Sequence, residues 1–179
     1  MTNTLMRAER SLLLVIDFQA RLMPEIKDAA ACMENARRLV AAAALLSVPM
    51  LVTEQNPKGL GQTVPELGLA GRTTLTKQTF GSCATPAFLD AIGTHPDIIV
   101  AGCEAHVCVL QTVLGLLELA RKVYVVRDAI GARRPENKET ALARMAKHGA
   151  DIVTTEMVVF EWLRTSERPD FKDILAVIK

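Results

Sequence analysis

The sequence predicts a three-layer α/β/α sandwich on a doubly wound, six-stranded parallel sheet, with the common strand order 3-2-1-4-5-6. Three observations predict it. Six short aliphatic or β-branched runs alternate along the chain with longer segments of helical period. Regular alternation implies parallel pairing, because each crossover must return the chain to the same edge. A length of 179 residues, half of them hydrophobic, suits one well-buried core, so residues 1–179 are expected to form a single domain.

The first strand is "SLLLVID", residues 11–17. Its apolar block is only a few residues long and ends in Asp17 without a small-residue cleavage site, so it reads as a strand and not as a secretory leader. A helix is expected over 28–46, with Ile26, Ala30, Met33, Ala36 or Arg37 and Val40 marking an approximate apolar stripe. It contains "LVAAAALL" (39–46), the longest uninterrupted apolar run and too short to span a bilayer. "VPMLVTE" (48–54) is the second strand, "NPKGLGQTVPELGLAG" (56–71) a loop, and "TTLTK" (73–77) the third strand.

A helix at 85–93 can be capped by Thr85, with Pro86 at the first helical position, where its missing N–H costs nothing. "DIIVAG" (97–102) is the fourth strand, followed by a helix at 106–120. "KVYVVRD" (122–128) is the fifth, followed by a helix at 136–148 whose end meets Gly149, where a left-handed residue is wanted. "DIVTT" (151–155) is the sixth strand; "MVVFEWLRT" (157–165) and "FKDILAVIK" (171–179) are two closing helices.

Charge narrows the partners. With 21 basic and 20 acidic residues and a formal charge of +1, no field gathers nucleic acid or an anionic membrane, and a small molecule or a protein is the expected partner. Without a secretory signal, the cysteines at 32, 83, 103 and 108 are expected to be thiols in a reducing cytoplasm, not a disulfide framework.

Ligands of an open parallel sheet bind beyond the carboxyl ends of its strands, near the switch in strand order. That rule gathers Asp17, Glu54, Gln55, Lys77 and the turn leading to Cys108 on one rim, with Asp17 beside the Cys108 segment. Cys108 falls in the first turn of the predicted 106–120 helix, where free N–H groups and the helix dipole lower a thiol pKa from roughly 8.5. Lys77 would act in the same direction. Asp17 would oppose ionisation but could accept the proton as general base. An oxyanion formed by sulfur attack on a carbonyl needs donors set in advance, and the backbone N–H groups of Glu104 and Cys108 are the candidates.

A plainer reading keeps each cysteine as a packed thiol, and Cys32, Cys83 and Cys103 are left in that class. A metal site of Cys103, His106 and Cys108 has neither knuckle nor helix-pair spacing, His95 and His148 lie elsewhere, and no fourth ligand is evident. There is no C-x-x-C redox pair, and glycines 59, 61, 68 and 71 do not form a phosphate loop. No metal and no cofactor are expected.

"VIDFQ" (15–19), "KQTFGS" (77–82) and "GCEAHVCVLQT" (102–112) together resemble the three signature segments of the isochorismatase-like cysteine hydrolases. The resemblance implies a six-stranded parallel sheet, a homo-oligomer (dimer or tetramer), a catalytic triad of Asp17, Lys77 and Cys108, and a cis peptide between Cys103 and Glu104. Nicotinamidases of this superfamily carry an Asp-x-His metal site where this chain reads "TEQNPKGLG" (53–61), without histidine. Isochorismatases proper generally lack the nucleophilic cysteine. "TEQNPKGLGQTVPEL" and the C-terminal "FKDILAVIK" look like the isochorismatase domain-containing branch. The implied activity is cofactor-independent cleavage of a C–N bond in a small amide through a thioester on Cys108. Phe18, Gln19, Leu22, Gln55 and Phe80 are the expected pocket walls, with Gln19 equally able to be a structural hydrogen-bonder. A non-catalytic scaffold, or a redox sensor at Cys108, are the rival readings.

Overall fold

The structure, a computed structural model, describes residues 5–178. Its elements run β1 (Ser11–Ile16), α1 (Ala29–Leu45), β2 (Met50–Gln55), α2 (Pro57–Leu60), β3 (Thr73–Lys77), α3 (Pro86–Ile92), β4 (Asp97–Cys103), α4 (Leu110–Glu118), β5 (Lys122–Gly131), α5 (Pro135–Lys147), β6 (Asp151–Val153), α6 (Thr155–Leu163) and α7 (Phe171–Ile178). The six strands form one sheet of order β3-β2-β1-β4-β5-β6, every pair parallel. The predicted fold class and strand order are those observed.

Every residue of β1 and β4 is buried, as expected for central strands covered on both faces. Alternation along β1 divides the core. Leu13 and Val15 pack toward α1, α6 and α7, whereas Leu12, Leu14 and Ile16 pack toward α3, α4 and α5. The two middle strands are also pressed together at their rim end. A Cβ added to Gly102 would stand 2.6 Å from both the Cβ and the carbonyl oxygen of its partner Ile16, so only glycine allows this approach.

The structure redraws several elements. Helix α1 buries Cys32, Ala36, Leu39, Val40, Ala42 and Ala43; of the expected stripe Ile26, Ala36 and Val40 are buried and Met33 is partly so, while Ala30 is exposed. Cys32, Leu39, Ala42 and Ala43 widen the buried face beyond that stripe. The 56–71 loop contains the short helix α2 and a 3-10 turn at Pro65–Leu67. Strand β5 runs three residues beyond the expected end at 128. Thr85 occupies the N-cap of α3 and Pro86 its first position, but the Thr85 side chain makes no capping bond. Gly149 does adopt the left-handed conformation after α5, at φ 103°. The helix expected at 106–120 is two elements: a π-helical turn at Ala105–Val109, then α4.

Candidate active site

Four strand ends build the site. Beyond β1, Asp17 takes a left-handed conformation, φ 53°, while its N–H extends the sheet ladder by donating to the Thr53 carbonyl at 3.1 Å. Asp tolerates that region better than bulky residues, and a non-glycine held there is a feature common at functional sites. Both carboxylate oxygens are then engaged. Thr53 Oγ1 donates to Oδ1 and Lys77 Nζ to Oδ2, each at 2.7 Å. Lys77 closes β3, two strands away, and also donates to the carbonyls of Phe80 at 3.1 Å and Thr79 at 3.3 Å. A buried ion pair is tolerable only when so completely bonded.

The fourth strand end carries the thiol. The peptide bond between Cys103 and Glu104 is cis. The Glu104 carbonyl then accepts from Val107 N–H at 3.0 Å and from Val109 N–H at 3.2 Å, winding the π-turn that carries Cys108. Cys108 is 7% exposed, and its pKa is pushed up to about 12. Burial is the main cause, followed by the Asp17 charge; Lys77 opposes them, while the hydrogen bond to Asp17 and the Glu104 charge raise it further. The expectation of a lowered pKa is therefore corrected. Cys108 precedes the regular helix α4, and desolvation with an adjoining carboxylate outweighs the ammonium. Burial and the Asp17 charge favour the neutral thiol over the thiolate, and the same carboxylate is the group placed to take the sulfur's proton.

A cavity of about 370 Å³ opens onto this thiol. Leu22, Leu60, Phe80 and Val107 are its apolar wall; Arg21, Glu25, Gln55, Glu104 and Arg133 are its polar lining. Of the five pocket residues expected from sequence, Leu22, Gln55 and Phe80 line it. Phe18 and Gln19 do not, and both are fully buried. Phe18 turns into the core on the α1 side. Gln19 is a bolt: its Nε2 donates to the carbonyls of Gln55 at 3.0 Å and Gly61 at 2.6 Å, while its Oε1 accepts from Gln55 N–H at 2.9 Å. Glu54 fastens the same loop, accepting at Oε1 from Thr63 N–H at 2.6 Å and Thr63 Oγ1 at 2.8 Å.

Sequence reasoning missed Arg133, Arg21, Glu25, Leu60, Val107 and the side-chain role of Glu104. Arg133 was within reach of the rim rule, had the fifth strand been carried to Gly131. The other cysteines lie apart from the site. Cys103 and Cys32 are buried on the α1 side of the sheet, opposite Cys108, and Cys83 Sγ lies 3.6 Å from the Thr112 carbonyl oxygen. Cys103, His106 and Cys108 thus do not converge, and among the described residues no group of three or more His, Cys, Asp or Glu could hold a metal ion. Nor, among those residues, is any helix long and apolar enough to cross a membrane.

Fold and rim define a doubly wound α/β protein with a cysteine, a carboxylate and an ammonium gathered at the switch in strand order. A model of the isochorismatase domain matches residues 11–157, and the chain belongs to that family, whose members are generally hydrolases. It is 37% identical over 172 residues to mouse isochorismatase domain-containing protein 2A, covering 96% of this chain and 84% of the mouse protein. Among solved structures, the MAR1 ribonuclease of Caenorhabditis elegans superposes with a TM-score of 0.93 at 36% identity, covering 98% of this chain and 92% of that one. YcaC from Pseudomonas aeruginosa, described with hexane-2,5-diol and covalent acrylamide, superposes at 0.91 with 26% identity, covering 99% and 93%.

Proposed function

We propose that this protein is a cysteine-dependent hydrolase that cleaves the C–N bond of a small, uncharged amide. The observation that carries the reading is the buried Lys77–Asp17 pair, whose carboxylate acts on the Cys108 thiol while Cys108 itself lines one cavity. In the first half-reaction Asp17 takes the thiol proton as sulfur attacks the substrate carbonyl carbon. The oxygen gains the displaced electron pair and is held by the backbone N–H groups of Glu104 and Cys108. Collapse re-forms the carbonyl and breaks the C–N bond, while protonated Asp17 gives its proton to the leaving nitrogen. In the second half-reaction Asp17 draws a proton from water as the oxygen attacks the thioester, and returns it to sulfur as the C–S bond breaks and the acid departs. Lys77 keeps the carboxylate in place throughout.

The preference for an uncharged substrate rests on balance. Arg21 and Arg133 on the cavity lining are matched by Glu25 and Glu104, and the remaining wall is apolar. Acrylamide, described as covalent in the Pseudomonas aeruginosa protein, is a molecule of this class. A ribonuclease activity, as named for the Caenorhabditis elegans relative, would require a phosphodiester substrate. With 21 basic against 20 acidic residues, this chain carries no net positive charge of the size that favours a phosphate backbone.

Intact-mass analysis after rapid acid quench tests the reading. Exposure to a panel of small amides is expected to give a mass increment on Cys108 that is absent from Cys108→Ser, together with release of amine. No adduct and no amine across the panel would turn the reading toward a scaffold. Reversible peroxide oxidation of Cys108 without an acyl adduct would favour a redox sensor.

A further inference from the structure

Glu104 places a second buried carboxylate on the cavity wall, at 8% side-chain exposure. Its charge works against ionisation of Cys108, as that of Asp17 does, yet it receives no proton in the proposed cycle. Among the described residues, every hydrogen bond to its carboxylate comes from Arg133. The Arg133 main-chain N–H donates to Oε2 at 2.9 Å, and its Nε reaches Oε1 and Oε2 at 3.1 Å each. The register explains the reach. Gly131 ends β5 opposite Cys103, so Arg133 stands two residues past the last ladder pair and continues it through a side chain. Glu104 is thus gripped at both ends, its carbonyl by Val107 and Val109 and its carboxylate by Arg133. It is also the link between β4 and the turn that carries Cys108.

We propose that Arg133 is a positioning residue for Cys108 that acts through Glu104, tying the thiol-bearing turn to the end of β5 and cancelling the buried carboxylate that takes no part in proton transfer. The inference rests on the reading of Cys108 as nucleophile. The charged groups facing the thiol are Asp17 from the end of β1, Lys77 from the end of β3 and Glu104 from the end of β4. Arg133 also feels Glu25, which is exposed, makes no hydrogen bond to it and is correspondingly screened. Arg21, across the cavity, is tied to the Gly59 carbonyl at 3.0 Å. His106 lies on the same turn as Cys108, its Nε2 3.3 Å from Asn137 Nδ2.

The test follows alkylation of Cys108 by iodoacetamide between about pH 7 and 10, located by peptide mass, in the full chain and in R133M, R133K, E104Q and the E104Q/R133M double variant. R133M is expected to slow alkylation by about threefold to tenfold and to move the pH profile upward, because an unpaired Glu104 disfavours the thiolate. E104Q is expected to accelerate it by a similar factor. In the E104Q background R133M should change the rate by less than about twofold, and R133K should recover part of the loss, keeping the charge without the planar Nε contact. An R133M rate equal to the wild type, or an R133M effect as large without the Glu104 charge as with it, overturns the proposal. Circular dichroism checks each fold; should R133M not fold, the acceleration in E104Q is the required result and its absence is decisive. If wild-type Cys108 forms no acyl adduct, the proposed function fails. If it does form one and the variants do not separate, only the role of Arg133 falls.

Discussion

Lys77 Nζ lies 2.7 Å from Asp17 Oδ2, with the two side chains 2% and 0% exposed, although the residues are 60 apart in the chain. A pair this deep is held by its hydrogen bonds as much as by its charges, and removal of one member strands the other in an apolar setting. Lys77→Met is therefore expected to destabilise the protein by about 3–5 kcal/mol, lowering the melting temperature by roughly 10 °C. Scanning calorimetry reads this directly. A melting temperature within a degree or two of wild type would mean that the pair contributes little to the fold.

Removal of the other member should have a less intuitive result. Burial and the Asp17 carboxylate are the two largest influences holding the Cys108 pKa up at about 12, with Lys77 working against them. Asp17→Asn deletes a raising influence and frees the lowering one, so the thiol pKa must fall and the thiolate fraction at a given pH below it must rise. Each unit of fall is tenfold in thiolate, and alkylation at pH 8 is expected to quicken by at least about tenfold. Amide turnover should drop by about 10² to 10⁴ at the same time, because the general base has gone. Alkylation that slows in Asp17→Asn would show that the carboxylate already assists the sulfur in the free protein.

Gly102 and Ile16 determine how near the Asp17 strand end comes to the Cys108 strand end. The Cβ of Gly102→Ala would lie 2.6 Å from the Ile16 carbonyl oxygen, which as part of the sheet backbone cannot swing aside. Splaying β1 from β4 is expected to cost about 1–3 kcal/mol and to lower kcat more than it raises KM, because it separates base from nucleophile. Unfolding curves and steady-state kinetics against a reactive amide test both parts. Unchanged stability together with unchanged kcat would show that the strand spacing is not critical.

The parts of this site legible in the sequence are those governed by strand ends. Asp17 and Cys108 follow central apolar runs and Lys77 closes the β-branched run of the edge strand β3, so the rim rule places all three at one end of the sheet before any contact is known. Phe18 and Gln19 follow the same strand but turn the other way, because the left-handed Asp17 redirects the chain, a conformation that no periodicity announces. The raised Cys108 pKa is hidden from the sequence for a related reason. A first-turn position is legible, whereas the burial of that turn and its π-helical winding depend on Glu104, Arg133 and the cavity walls, brought together from distant segments. The position of Arg133 is not legible because β5 continues through "AIG", where alanine and glycine carry little strand signal.

Gln19 carries the last prediction, which concerns the loop over the site. Its amide meets three main-chain groups, the carbonyls of Gln55 and Gly61 and the N–H of Gln55. Through them it joins the end of β2 to the segment that follows α2, and Leu60 and Gln55 of that region line the cavity. Gln19→Leu keeps the volume but leaves those groups without their partner, at about 1–3 kcal/mol for each one that stays buried and unmet. Relief is easiest by local opening near Gly61, because the rest of the loop keeps its other ties: Glu54 to Thr63, Ala20 N–H to the Gln62 carbonyl, Val64 N–H to the Phe18 carbonyl, and the buried Leu67. The expected outcome is faster amide hydrogen exchange at Gln55 and across 59–63, with exchange in β1 and β4 little changed. KM for a small amide should rise several-fold while kcat is largely kept, because the wall loosens and the Asp17, Lys77 and Cys108 cluster stays intact. Exchange that quickens equally across the central strands would show that Gln19 supports the whole fold and not this loop.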